Sequence, residues 1–432
     1  MHDAFHRLDA ARERLLQRLY TSGAKNCDSV GEAVQFAAFR PFEGTRSNDQ
    51  MLAQLWDIFD QRWVFLAVMD GHGGDVTARF VVDKVPERIK GALEKLIKER
   101  FGGLLDRTNV KEADPLISSM LRKEIVELDN LIGQAVTKIC PDPTKLNAEE
   151  ARQLYGLNRK ALLRAIQGTT LSIALIAVDD WDSFMWAAGV GDSTIALSTV
   201  EPSTGNRHAE RLCKRHTCKD PGEFCRVAVA HPSSEKGIID AENKLLGWRS
   251  LTRAIGDFPF KMDAAYTRHL FEHVCTGSRR NPLSKFEHRI ETPPYIIAEP
   301  DVRFVDLKPF RGQDPVILLY TEGVETVVDG ALVFTPKTHS GADPLDVLSS
   351  LLTSVLSDKV DHRVEDILGH NIEPRWSGSF NNMAMDILGN LLGGISPGRL
   401  EMVLDERRLK AKDNGFWIPD TSLIVARLAL LA

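Results

Sequence analysis

Apolar side chains fall into two rhythms along this chain. In "VFLAVMDGHGG" (64–74) an unbroken apolar run ends at once in an acid, a histidine and three glycines. A run without polar alternation is the pattern of a strand covered on both faces. The runs at 170–178, 183–190, 193–200, 302–306, 315–320 and 422–429 predict further strands. The spacers "DDWD" and "GD" between the first three of these predict hairpin turns. Longer segments, apolar at every third or fourth position, predict helices over 74–100 (bent at Pro86), 115–138, 148–166, 343–358 and 379–393. Phe5, Leu8, Ala11, Leu15 and Leu19 predict an amphipathic helix that packs on the domain.

Strands that close on turns, with helices in separate blocks, indicate an α+β fold rather than a doubly wound parallel sheet. No internal repeat or linker divides the chain. Residues 1–30 read as the amphipathic helix and a lead-in, and 31–432 as a single domain. Two polar, Pro/Gly-bearing stretches, 276–294 and 359–378, read as surface insertions.

Composition narrows the function classes. With 43% hydrophobic and 26% charged residues, the chain has the balance of a soluble globular protein. A net charge of -6 argues against nucleic acid as the partner. No apolar run approaches the roughly 18 residues of a membrane span. Asp3, Asp9 and Glu13 interrupt the first helix, which is unlike a secretory signal and counts against a mitochondrial presequence. The six cysteines suggest reduced, intracellular thiols. Cys213, Cys218 and Cys225, with His208 and His216 nearby, lack the paired spacing of a zinc site.

The candidate chemistry lies in acids at strand ends. Asp70, Asp192, Asp257, Glu322 and Asp420 each border an apolar segment, most of them beside glycine. One such acid is ordinary turn chemistry. Several gathered at one end of a sheet would repel one another unless they share a cation. Mg²⁺ or Mn²⁺ suits carboxylate and carbonyl oxygens, and the glycines after Asp70 would let backbone oxygens approach.

In order, "DGHGG" (70–74), "GTT" (168–170), "GDS" (191–193), "LTRAIGD" (251–257) and "DTSLIV" (420–425) resemble the metal-dependent PPM/PP2C protein serine/threonine phosphatases. The resemblance spans about residues 45 to 430. The blocks 231–261 and 292–302, with His216, Glu223 and Arg226 upstream, are similar to the pyruvate dehydrogenase phosphatase-like branch. The resemblance implies an α-β-β-α sandwich: two central antiparallel sheets flanked by helices, with two Mg²⁺ or Mn²⁺ ions at one end activating a water. It implies Asp70 as the carboxylate bridging both ions and the Gly71 carbonyl as a ligand. Asp49, Asp192, Glu322 and Asp420 fall at or beside further ligand positions. His72 would be the acid that protonates the leaving Ser or Thr oxygen, and Arg46 a phosphate-binding stand-in. A phosphoprotein substrate, a monomer and an intracellular site, mitochondrial or cytoplasmic, are expected.

The chain also departs from the family pattern. Asn48 replaces a ligand Glu, Gly44 a phosphate-binding Arg, Glu322 an Asp, Pro419 the last ligand Asp, and Thr194 the Arg after "GDS". Lost carboxylates weaken a divalent site. Two readings follow: a phosphatase with an atypical second metal site, or a pseudophosphatase acting as a protein-binding module.

Overall fold

The computed structural model describes residues 2–23, 25–27, 30–178, 183–274, 282–335, 337–410 and 416–431. Its strands are β1 (Lys25–Cys27), β2 (Gly31–Phe39), β3 (Gln50–Ile58), β4 (Gln61–Met69), β5 (Gly71–His72), β6 (Gly168–Thr169), β7 (Leu171–Val178), β8 (Phe184–Val190), β9 (Thr194–Val200), β10 (Arg207–Arg211), β11 (Ile255–Gly256), β12 (Asp301–Asp306), β13 (Val316–Tyr320) and β14 (Thr421–Arg427). Its α-helices are α1 (His2–Ser22), α2 (Val76–Phe101), α3 (Val110–Ile139), α4 (Ala148–Ile166), α5 (Pro221–Ala230), α6 (Ala264–His269), α7 (Glu322–Asp329), α8 (Pro344–Ser357), α9 (His362–Leu368), α10 (Met383–Leu391), α11 (Pro397–Leu404) and α12 (Glu406–Lys410).

Two antiparallel sheets stack face to face. One runs β1-β2-β14-β13-β9-β10 and the other β12-β8-β7-β4-β3. Strand β4 shows why its sequence does not alternate. Val64, Leu66 and Val68 pack between the sheets, while Trp63, Phe65, Ala67 and Met69 pack outward beneath α2, α3 and α4. In β13, Ile317 and Leu319 face the other sheet, and Val316, Leu318 and Tyr320 face α7, α8 and α10. Each strand keeps its two-residue period, but both faces are covered, so both are apolar. The layers are therefore helix, sheet, sheet, helix. The first helix joins the outer layer through Ala11, Leu15 and Leu19, and the side chain of Phe5 lies outside the described residues.

Three features differ from the sequence reading. The "GD" spacer is not a hairpin: β8 belongs to the five-stranded sheet and β9 to the six-stranded one. Residues 191–193 carry the chain from one sheet to the other. An apolar run is equally compatible with a partner in its own sheet or the opposite one, so the pattern alone could not separate them. The two stretches read as surface insertions are anchored in the core. Leu283, Phe286 and Ile290 join the cluster beneath α2 and α3, although 276–281 lie outside the described residues. In 359–378, Val364, Leu368, Ile372 and Trp376 are buried, with Trp376 fully enclosed. Their buried residues recur at helical intervals of three or four, but the polar, Pro and Gly residues between them mask that period. Strands β2 and β3 and helix α5 lay in segments assigned no element.

Candidate active site

The register brings the strand-end acids together. Gln50 pairs with Met69, so Asp49 and Asp70 leave adjacent strands side by side. Leu171 pairs with Val190, which sets the crossover carrying Asp192 next to β7. Tyr320 pairs with both Thr194 and Leu423, placing Glu322 and Asp420 at the same end of the other sheet. Asp49 and Asp192 are buried, while Glu322 opens to solvent.

Electrostatics register this convergence. Burial, then the charges of Asp49, Glu322, Asp192 and Asp420, hold Asp70 well above the usual carboxylate range. Burial pushes Asp49 up to about 7, reinforced by Asp420 and Glu322. Asp192 is likewise raised to about 7 by burial and by Glu322, against the opposing pull of Arg215 and His72. Burial raises Asp420 as well. Repulsion and desolvation both penalise the ionised forms, and a shared cation relieves both.

Fixed hydrogen bonds hold these acids. The Asp70 N–H donates to Thr170 Oγ1 (2.9 Å), and the Asp70 carbonyl accepts from the Thr170 N–H (2.9 Å). Thr321 donates to Asp49 Oδ2 (3.0 Å), yet Asp49 Oδ1 is buried without a hydrogen-bond partner. A buried, unpaired carboxylate oxygen is costly, and coordination of a hard cation would satisfy it. Asp420 Oδ2 accepts from the Asn48 N–H (2.7 Å) and lies 3.3 Å from the Ser47 hydroxyl. Arg215 pairs with Glu325 and stands 3.9 Å from Asp192 Oδ2, clamping the crossover to α7. His216 completes that clamp: its Nδ1 accepts from the Gly191 N–H (3.2 Å), and burial lowers its pKa to about 4. Among the described residues, no three His, Cys, Asp or Glu side chains stand as a ready-made ligand shell.

A small third sheet, β11-β6-β5, positions His72. His72 pairs with Gly168, and Gly168 pairs with Gly256, so the histidine ends a row whose other two members are glycines. A Cβ on Gly168 would fall 2.1 Å from His72 Nε2 and 2.5 Å from Asp257 Oδ2. The bare glycine leaves room for His72 Nε2 to lie 2.5 Å from Asp257 Oδ2. Arg249 donates to Asp257 Oδ1 (3.1 Å). Asp257 is fully buried; its desolvation is outweighed by Arg249 and His72, which hold its pKa at about 2. With Nε2 committed, His72 Nδ1 has no hydrogen-bond partner among the described residues.

The sequence-predicted residues thus divide. Asp49, Asp70, Asp192, Glu322 and Asp420 share one end of the sandwich, with Gly71 packed against the Asn48 carbonyl, 2.4 Å from where its Cβ would stand. Asp257, read with the same group, belongs instead to His72. Arg46 is exposed on the rim of a cleft that also contains Asp49, Asp75 and Arg79. The sequence reading passed over Arg215, Arg249 and Glu325. Glu325 follows Glu322 by three residues, a helical spacing, which is the one signal that could have found it.

Residues 45–334 match the protein phosphatase 2C family. The chain belongs to that family. It is 32% identical over 332 residues to human [pyruvate dehydrogenase [acetyl-transferring]]-phosphatase 1, mitochondrial, covering 69% of this chain and 59% of that protein. It is 22% identical over 275 residues to a protein phosphatase 2C homolog of Schizosaccharomyces pombe, covering 62% of this chain and 55% of that one. The chain therefore spans under two thirds of these relatives. A solved serine-threonine phosphatase 2C from Toxoplasma gondii aligns over 94% of this chain and 93% of its own, with 14% identity and a TM-score of 0.45. Protein phosphatase 2C enzymes are generally Mg²⁺- or Mn²⁺-dependent. Against that family pattern, Asn48 contributes its backbone N–H to Asp420, and Pro419 contributes a carbonyl that accepts from Thr421 Oγ1 (3.1 Å).

Proposed function

We propose that this protein is a metal-dependent protein serine/threonine phosphatase. The observation that carries the reading is the mutually destabilised cluster of Asp49, Asp70, Asp192, Glu322 and Asp420, with an unpaired oxygen on buried Asp49. Asp70 and the Gly71 carbonyl, with Asp49, Asp192, Glu322 and Asp420, would hold Mg²⁺ or Mn²⁺. When bound, the ions supply positive charge that activates a water and offsets charge on the transferring phosphoryl group. His72 donates a proton from Nδ1 to the departing Ser or Thr oxygen. Asp257, fixed by Arg249, orients the ring through Nε2. Arg46, on the cleft rim, receives the phosphate or its flanking peptide.

The substrate class is a phosphoserine or phosphothreonine protein. Phosphorylated pyruvate dehydrogenase is the first to test, because relatives of this chain are named for it. Their mitochondrial address makes that compartment the one to test against the cytoplasm. A second reading, phosphoprotein binding without turnover, is favoured by Asn48 and Pro419 and by the commitment of Asp420 Oδ2 to the Asn48 backbone. The deciding experiment is hydrolysis of a phosphopeptide by purified protein with Mn²⁺, with Asp70→Asn as control. Mn²⁺-dependent turnover lost in Asp70→Asn supports the enzyme. Phosphopeptide binding without turnover at saturating Mn²⁺ selects the binding module.

A further inference from the structure

Helix α7 begins at Glu322 and ends about 10 Å away at Asp329. Beyond its far end lies a pocket walled by Val327, Val328, Phe334, Ile367 and Leu368, into which Arg399 enters from the first turn of α11. The Arg399 guanidinium carbon sits 4.5 Å from the centre of the Phe334 ring, so one face is stacked on an aromatic surface. Gly369 makes room beside it: a Cβ there would stand 2.9 Å from Arg399 Nη2. Among the described residues, no carboxylate pairs with this guanidinium. Burial lowers its pKa, with no neighbouring acid opposing the shift. The acid in the lining, Asp329, is engaged elsewhere, its Oδ2 lying 2.8 Å from His339 Nδ1. An arginine taken partly out of water, stacked and left unpaired, is a costly arrangement without an anion.

We propose that this pocket binds a small organic carboxylate with an apolar body. Arg399 would grip the carboxylate through its planar fork, and the body would lie against Val327, Phe334 and Ile367. Bidentate geometry suits a carboxylate, and although the lining also includes Thr335, Thr338 and His339, its apolar side favours an anion that carries an apolar body. The site is separate from the acid cluster, and the proposal does not depend on phosphatase activity.

The test is calorimetric titration of the full chain with benzoate, acetate and benzamide. Benzoate is expected to bind saturably at one site. Acetate, lacking the apolar body, is expected to bind at least about tenfold more weakly. Benzamide, lacking the charge, should show no saturable binding. Arg399→Met keeps the apolar stem over Phe334 and should weaken benzoate binding about tenfold or more. If that variant gives no cooperative melt, Arg399→Lys serves instead, since it keeps the charge, loses the fork and should also bind more weakly. Benzoate affinity unchanged in a folded variant, equal binding of benzamide, or no saturable benzoate binding to the native chain would each overturn the proposal.

Discussion

His72 and Asp257, 185 residues apart in sequence, place Nε2 and Oδ2 within 2.5 Å of each other across a row of glycines. This contact commits Nε2 to a carboxylate and leaves Nδ1 without a hydrogen-bond partner among the described residues. It turns the histidine of "DGHGG" from a residue near an acid cluster into one with an orienting carboxylate of its own.

The pair makes a prediction about leaving groups. General acid catalysis contributes about 10²–10⁴-fold when the leaving oxygen is a poor leaving group. His72→Ala should lower kcat on a phosphopeptide within that range and on p-nitrophenyl phosphate far less, because p-nitrophenolate departs without a proton. Asp257→Asn should show the same selectivity with a smaller loss. Equal losses on both substrates would assign the histidine to structure instead.

Gly168 and Gly91 should respond oppositely to alanine. A Cβ on Gly168 strikes the His72–Asp257 contact, whereas one on Gly91, inside α2, meets nothing within 4 Å. Gly168→Ala is expected to destabilise by about 1–3 kcal/mol and to abolish turnover. Gly91→Ala is expected to stabilise by about 0.5–1 kcal/mol and leave turnover unchanged. Urea unfolding and kinetic assays on both variants check this.

Metal should stabilise the fold in a pH-dependent way. Asp49 and Asp192 have folded-state pKa values near 7, above the unfolded carboxylate range. Their contribution to stability is therefore intact at low pH and is lost as pH rises from about 4 through 7. A cation that replaces those protons restores it. Millimolar Mn²⁺ should raise the melting temperature at pH 8, less so at pH 6, and EDTA should reverse the gain. Scanning calorimetry at the two pH values measures it, and identical melting with Mn²⁺ and with EDTA at pH 8 counts against a metal site.

Returning carboxylates to the cluster should tighten metal binding. Asn48→Glu, Glu322→Asp and Pro419→Asp together should raise Mn²⁺ affinity and turnover, through added charge at two positions and a shorter acid at the third. Pro419→Asp also frees the backbone before β14, so cooperative thermal unfolding must be confirmed first. A folded triple variant with unchanged Mn²⁺ affinity would place the limitation elsewhere.

Glu223 carries a second pH signature, of opposite sign. Its burial is outweighed by hydrogen bonds from Arg253, Arg226 and Thr252, which lower its pKa to about 2. A depressed carboxylate contributes stability that is present above its unfolded pKa, near 4.5, and is lost as pH falls toward 2. Glu223→Gln should therefore cost on the order of 3 kcal/mol at pH 7 and progressively less below pH 4.5. Denaturant titrations at pH 7 and pH 4 give the comparison.

Much of this protein was legible in its sequence, for a physical reason. A strand covered on both faces must be apolar throughout, so 64–69, 171–178 and 316–320 announced themselves. Helix α4 begins where its period does, because Asn147 and Glu150 form a capping box written in local residues. The order of "DGHGG", "GTT", "GDS" and "LTRAIGD" named the family, and the acid at the end of each segment named the candidate ligands. What the sequence could not carry was partnership across distance. The same "GD" would serve as a hairpin or as a crossing between sheets, and only packing decided that Asp192 crosses. Asp257 looked like one more strand-end acid until pairing of Gly168 with both His72 and Gly256 delivered it to the histidine. Buried anchors such as Phe286 and Trp376 do have neighbours at intervals of three or four, but in stretches so rich in polar, Pro and Gly residues that the period does not announce a core position. Local pattern records which faces of an element are covered; the residue that covers them is chosen by tertiary packing, and the site was assembled at that level.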